Sequence, residues 1–119
     1  MYFPKENRLL AKTDYNQVLD QPKKISQKQL LILYKSNQRS NARLGLMVGK
    51  RVAPLAVARN RIKRVIRESF RANQKKLIGL DCIVIARQQC DTLNTLQLRQ
   101  GMDQLWERLI TQQQNRSFT

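Results

Sequence analysis

The chain has no histidine, only 8 acidic residues and only two cysteines among its 119 residues. Without histidine there is no Ser-His-Asp triad, no Cys-His nucleophile pair, no imidazole acid–base catalysis and almost no route to a zinc-enzyme site. Cys82 and Cys90 alone cannot complete a tetrahedral zinc site within one chain. Cys82 lies in an apolar run, where it reads as a small buried hydrophobe. Proline, at 3, and glycine, at 4, form no linker, and no internal repeat divides the sequence. Residues 1–119 therefore read as one domain with its core at about 7–111 and a polar tail over 112–119. The opening Met1-Tyr2-Phe3-Pro4-Lys5-Glu6 has no apolar signal-peptide core, and the longest apolar stretch, Leu30 to Tyr34, is far too short to span a bilayer. The expectation is a reduced, cytoplasmic protein that holds no metal or cofactor of its own and has no membrane partner.

What the chain does contain is cation. Its 23 Lys and Arg give a net charge of +15. Charged residues are an ordinary 26%, so the excess comes from missing acids rather than from dense charge. Hydrophobic residues at 41% suffice for one modest core. A small, basic, histidine-free domain suits polyanion binding better than chemistry with its own side chains. No catalytic residue is assigned.

Periodicity predicts the order α-β-β-α-β-α, an α+β sandwich with one small mixed sheet and room for one further short strand. Tyr15, Val18 and Leu19 recur at helical spacing after a cap candidate at Thr13, giving a helix over 13–20 that ends at Pro22. Leu30–Tyr34 and Leu44–Val48 are strand-length apolar runs around the polar cluster 36–41, which predicts an antiparallel hairpin. A helix from about Ala56 or Ala58 to Leu77 stops near Gly79. Cys82–Ala86 follows as a buried β-branched strand bounded by Asp81. The last helix spans 95–112, with Asn94 as its cap and Leu98, Met102, Leu105, Trp106, Leu109 and Ile110 on one stripe. Gly101 inside it costs about 1 kcal/mol relative to alanine, which local packing must offset.

Residues 59–71 hold six basic side chains and the single acid Glu68. Wound at about 100° per residue, Arg59, Lys63, Arg67, Arg71 and Arg64 fall within an arc of about 140° that also contains Asn60. Ala58, Ile62, Val65, Ile66 and Ser69 occupy the opposite side, and Phe70 the border. A merely solvated face would mix Glu with Lys at i, i+4, whereas like charges at that spacing repel. A polyanion cancels that repulsion, and five of the six cations are Arg, whose fork suits phosphate. A membrane surface fits less well, because the apolar side is needed to cover the sheet. Charge alone does not choose between RNA and DNA. Nothing before the helix resembles a helix-turn-helix.

Ala58-Arg59-Asn60-Arg61-Ile62-Lys63-Arg64 followed by Arg67-Glu68-Ser69-Phe70-Arg71 resembles the signature of the bacterial ribonuclease P protein family. Leu44-Gly45-Leu46 through Val48-Gly49-Lys50-Arg51-Val52 is similar to the strand and basic turn preceding that signature. Asn7-Arg8-Leu9, Asp14-Tyr15, Asp81–Arg87 and Leu105-Trp106 extend the likeness to about 7–111. The resemblance implies a subunit of the ribonucleoprotein that removes the 5′ leader from precursor tRNA, with Mg²⁺ serving the catalytic RNA subunit. It also implies a left-handed βαβ crossover, against the general right-handed rule. The resemblance places the RNA-subunit contact on Lys50, Arg51, Arg59, Asn60, Arg61, Lys63, Arg64, Arg67 and Arg71, and the leader contact on Arg8, Tyr15, Leu19 and Tyr34. The implied partners are the RNA subunit and precursor tRNA, not DNA. Leu19 replaces an aromatic frequent there, and Val52–Val57, with Pro54, departs from the family's glycine-containing turn. The competing reading is a structural RNA-binding protein such as a small basic ribosomal protein.

Overall fold

The computed structural model describes residues 3–116. Helix α1 (Lys12–Leu19) precedes strands β1 (Lys23–Ser26), β2 (Leu30–Ser36) and β3 (Arg43–Met47). Helix α2 (Ala56–Asn73), strand β4 (Leu80–Ala86) and helix α3 (Thr95–Arg116) follow. This is the expected order with one further short strand, β1. Ile25 is the apolar anchor of β1, paired opposite Ile32, while Lys23 and Lys24 suit an edge strand because charge there discourages further pairing.

The sheet order is β1-β2-β4-β3. The expected hairpin between β2 and β3 is therefore not formed: β2 pairs antiparallel with β1 and β4, and β3 pairs parallel with β4. Strand β4 is the most buried of the four, and an apolar strand gains most when neighbours cover both its edges. Helix α2 supplies the long connection that a parallel β3–β4 pair requires. The chain reaches β4 through the 3₁₀ turn Gln74–Leu77 and Gly79, whose φ of 90° is readily adopted only by glycine.

Strand alternation sorts the side chains onto two faces. Leu30, Ile32 and Tyr34 of β2 join Cys82 and Val84 of β4 against α2 and α3 in the main core. Phe70 of α2 meets Trp106 of α3 edge-on, with ring centroids 5.8 Å apart. The other face has a small cluster of Leu9, Val18, Leu33 and Ile83 under α1. Helix α1 begins one residue before the expected Thr13. Its cap is Ala11, whose N–H donates to the Asp14 carboxylate at 3.2 Å. Asn94 caps α3 as expected, accepting from the Gln97 N–H at 2.8 Å while Gln97 Oε1 accepts from the Asn94 N–H. The expected polar tail is corrected over 112–116, which continue α3 because glutamine is a competent helix former. Residues 117–119 of that tail lie outside the described residues. Gln27 Nε2 donates to the Gly101 carbonyl at 3.0 Å, and a Cβ on Gly101 would lie 3.1 Å from Gln27 Oε1, so close packing of β1's turn offsets the mid-helix glycine.

Candidate nucleic-acid interface

Helix α2 buries Ile62, Val65, Ile66 and Ser69, as its pattern predicts, and Phe70 with them. Asn60, Arg64 and Arg71 are exposed, and Lys63 and Arg67 are half-buried beside them. Ion pairs among the described residues join Arg43 to Asp14 and Asp81, and Arg99 to Asp103, and none of them involves an α2 cation. Lys50 and Arg51 stand exposed on the turn before the helix. Arg59 folds back, its Nη1 donating to the carbonyls of Ala53 at 2.8 Å and Pro54 at 3.0 Å. Arg61 lies apart from the rest of the predicted set. It lies about 200° round the helix from Arg59, and its Nη2 donates to the Asp91 carbonyl at 3.3 Å beneath the 3₁₀ turn Cys90–Thr92.

The second face of the sheet is only half covered. Tyr15 of α1 lies over Gly45, where an added Cβ would stand 2.7 Å from the ring, and its hydroxyl accepts from the Leu46 N–H at 3.3 Å. Gly45→Ala should therefore displace Tyr15 and lower stability by about 1–3 kcal/mol, as overpacking does. Gly49→Ala, with open space around it, should not. Urea unfolding of both variants makes the comparison.

Beyond Tyr15 the pairing register sets Ser26, Leu31, Ile85 and Met47 in one row across the four strands. Leu31 and Ile85 are half-buried, while Met47 is 42% and Leu19 41% exposed, so an apolar floor lies open beside α1. The sequence reading missed Leu31, Ile85 and Met47. Strand parity was the available signal, since Leu31 shares the face of Leu33. The same parity corrects Tyr34: it points to the helices, is fully buried in the main core, and its hydroxyl donates to Gln112 of α3. Tyr34 therefore packs within the core, and its ring is not exposed on the sheet face beside α1.

Arg8 follows the 3₁₀ turn Lys5–Asn7 and bridges to Leu44 at the open edge of β3. There Arg8, Tyr15 and Leu46 meet Lys63 and Arg67 of α2 around a cleft of about 230 Å³. The Arg8 Nε is buried without a hydrogen-bond partner, and its guanidinium lies 6.0 Å from the Phe3 ring centre. Two surfaces that sequence reasoning kept apart thus share one corner.

A buried ion pair went unread in the sequence. Arg43 Nε and Nη2 donate to the two Asp81 carboxylate oxygens at 2.8 and 2.6 Å, and Asn37 Nδ2 donates to the same carboxylate at 2.8 Å. The hydrogen bond to Asp81 raises the Arg43 pKa above its usual value. Asp14, 3.6 Å from Arg43, is held below the usual carboxylate value, chiefly by the Ala11 N–H. Both cysteines are fully buried free thiols. Burial pushes the Cys82 thiol up, and that of Cys90 up to about 11. The thiolate is the reactive form, so neither cysteine should label with iodoacetamide in the native protein at pH 7.5, and both should label in urea. Mass spectrometry of the alkylated protein reads the count. Among the described residues no three of His, Cys, Asp and Glu come together as metal ligands, and no helix is long and apolar enough to cross a membrane.

The family model for ribonuclease P matches residues 3–110. The chain is 44% identical over 115 residues to the ribonuclease P protein component of Ectopseudomonas mendocina, covering 96% of this chain and 86% of that one. It is 44% identical over 109 residues to the corresponding component of Pseudomonas aeruginosa, covering 91% of this chain and 81% of that one. Among solved structures, the Staphylococcus aureus RNase P protein superimposes with a TM-score of 0.80 at 29% identity, over 87% of this chain and 94% of that one. The Thermotoga maritima RNase P protein does so with a TM-score of 0.75 at 26% identity, over 85% and 96%.

Proposed function

The chain belongs to the bacterial ribonuclease P protein family, and from that premise we propose how it serves the endoribonuclease complex of which such proteins are components. The cation face of α2, with Lys50 and Arg51, binds the catalytic RNA subunit. The half-open sheet face beside α1 receives the single-stranded 5′ leader of precursor tRNA. Mg²⁺ acts on the RNA side, where the phosphodiester is hydrolysed, and the complex works in the cytoplasm.

The observation that carries this reading is the shared corner, where Lys63 and Arg67 of α2 line one cleft with Arg8 and Tyr15. A leader leaving the RNA subunit along α2 meets cations for its phosphates and then an aromatic ring and an apolar floor for its bases. Such a surface holds many leader sequences, because every base has a face to stack and every link a phosphate to pair. Arg8 carries a buried donor that a phosphate oxygen would satisfy.

The test adds the protein to the RNA subunit at low Mg²⁺ and follows leader release from precursor tRNA, with protein alone as the control. The expected result is release only when both are present. Tyr15→Ala should weaken precursor binding by about 1–3 kcal/mol per lost base contact. It should leave mature tRNA binding unchanged, since mature tRNA has no leader. Equal losses for both RNAs would assign Tyr15 to packing alone.

A further inference from the structure

Arg59 opens the basic helix, yet its guanidinium is turned toward the chain that leads into it. Nη1 spans the carbonyls of Ala53 and Pro54, at 2.8 and 3.0 Å. Ala53 is fully buried, and the turn before it is closed by the N–H groups of Val52 and Ala53, which both donate to the Gly49 carbonyl at 3.2 and 3.1 Å. Lys50 and Arg51 stand on that turn with their side chains in solvent. The helix cap, Leu55, contributes no side-chain hydrogen bond. A single arginine of α2 therefore ties the helix to the turn that carries two further cations.

We propose that Arg59 is a positioning residue for RNA binding, which acts by fixing the 49–54 turn so that Lys50 and Arg51 meet the RNA subunit together with the α2 face. This rests on the reading that the RNA subunit occupies that face. With Nη1 committed to two carbonyls the Arg59 guanidinium is held against the turn and keeps only Nε and Nη2 for other partners, and a turn ordered beforehand spares the complex the entropy of ordering it on binding. The arrangement also makes Arg59 a different kind of residue from Arg64 and Arg71, which have no protein carbonyl in reach among the hydrogen bonds of the described residues.

A mutant cycle on affinity for the RNA subunit separates this role from direct contact. It comprises the wild type, Arg59→Ala, Lys50→Ala/Arg51→Ala, and all three substitutions together. Arg59→Ala should lose about tenfold or more in affinity, the scale of hydrogen bonds to a charged group. The triple variant should bind within about twofold of the Lys50→Ala/Arg51→Ala protein, because residues acting as one unit are not additive. Losses that multiply across the cycle would make Arg59 a direct phosphate contact and overturn the proposal, as would unchanged affinity in Arg59→Ala. Hydrogen exchange on the free protein gives the second readout: the Val52 and Ala53 amides should exchange faster in Arg59→Ala, with the helix amides and circular dichroism unchanged. Unaltered protection of those two amides also overturns it. If the wild type itself fails to bind the RNA subunit, the functional reading falls, and the exchange measurement still decides whether Arg59 orders the turn.

Discussion

Arg64→Ala/Arg67→Ala should bind the RNA subunit about a hundredfold or more weaker than wild type, since hydrogen bonds involving charged groups contribute roughly 1.5–3 kcal/mol each. The loss should be electrostatic in character. With roughly five phosphate contacts at a slope of about 0.7–0.9 each, wild-type log K should fall by about 3.5–4.5 per tenfold rise in salt. The variant keeps about three contacts and should fall by about 2.1–2.7. Its fold should survive, because the buried side of α2 is formed by Ile62, Val65, Ile66, Ser69 and Phe70 and is untouched. Titrations at several salt concentrations, on precursor and mature tRNA complexes alike, make the measurement. A slope that does not change would remove α2 from the interface even if affinity fell.

The second large effect is on stability. Asp81→Ala leaves the Arg43 guanidinium buried without its two-pronged partner and takes an acceptor from Asn37. Removing one member of a buried pair costs about 3–5 kcal/mol, a large part of the roughly 5–15 kcal/mol that holds a domain folded. Arg43→Met/Asp81→Leu should recover most of that loss, because it takes away both the charge and its need for a partner. Urea unfolding followed by circular dichroism compares the three proteins. If the single variant unfolds at the wild-type midpoint, the pair contributes nothing. If the double variant is as unstable as the single one, the lost packing rather than the orphaned charge is responsible. Arg43 lies 3.6 Å from Asp14 of α1, so the same experiment measures how firmly the α1 side of the sheet is held.

Local pattern and tertiary contact divided the information unevenly. The buried side of α2 and the Leu98–Leu109 stripe of α3 were legible because helical periodicity is written in residues three and four apart, within one segment. The cation face followed from the same wheel, and the family resemblance from residues that are themselves contiguous. Which strand lies beside which was not legible, since Leu44–Val48 looks the same whether it pairs with β2 or with β4. Only the burial demanded by β4 and the long connection through α2 decide it. Tyr34 shows the limit most sharply. Alternation fixes that Tyr34 and Leu33 face opposite ways, but the placement of α1 and α3 on the two sides decides which of them joins the main core and which the small cluster under α1. Arg59, Arg61 and Arg43 are alike in sequence as cations. The structure gives one to a turn, one to the Asp91 carbonyl and one to Asp81, because a guanidinium's partners are set by what the fold brings within hydrogen-bond reach and not by its neighbours along the chain. The sequence by itself determined the three helices, most of the strands, their buried sides and the cation face of α2, all properties of short-range order. The tertiary structure alone decided the strand neighbours, the open half of the sheet and the corner where the cation face of α2 meets Arg8 and Tyr15, all properties of residues far apart in the chain.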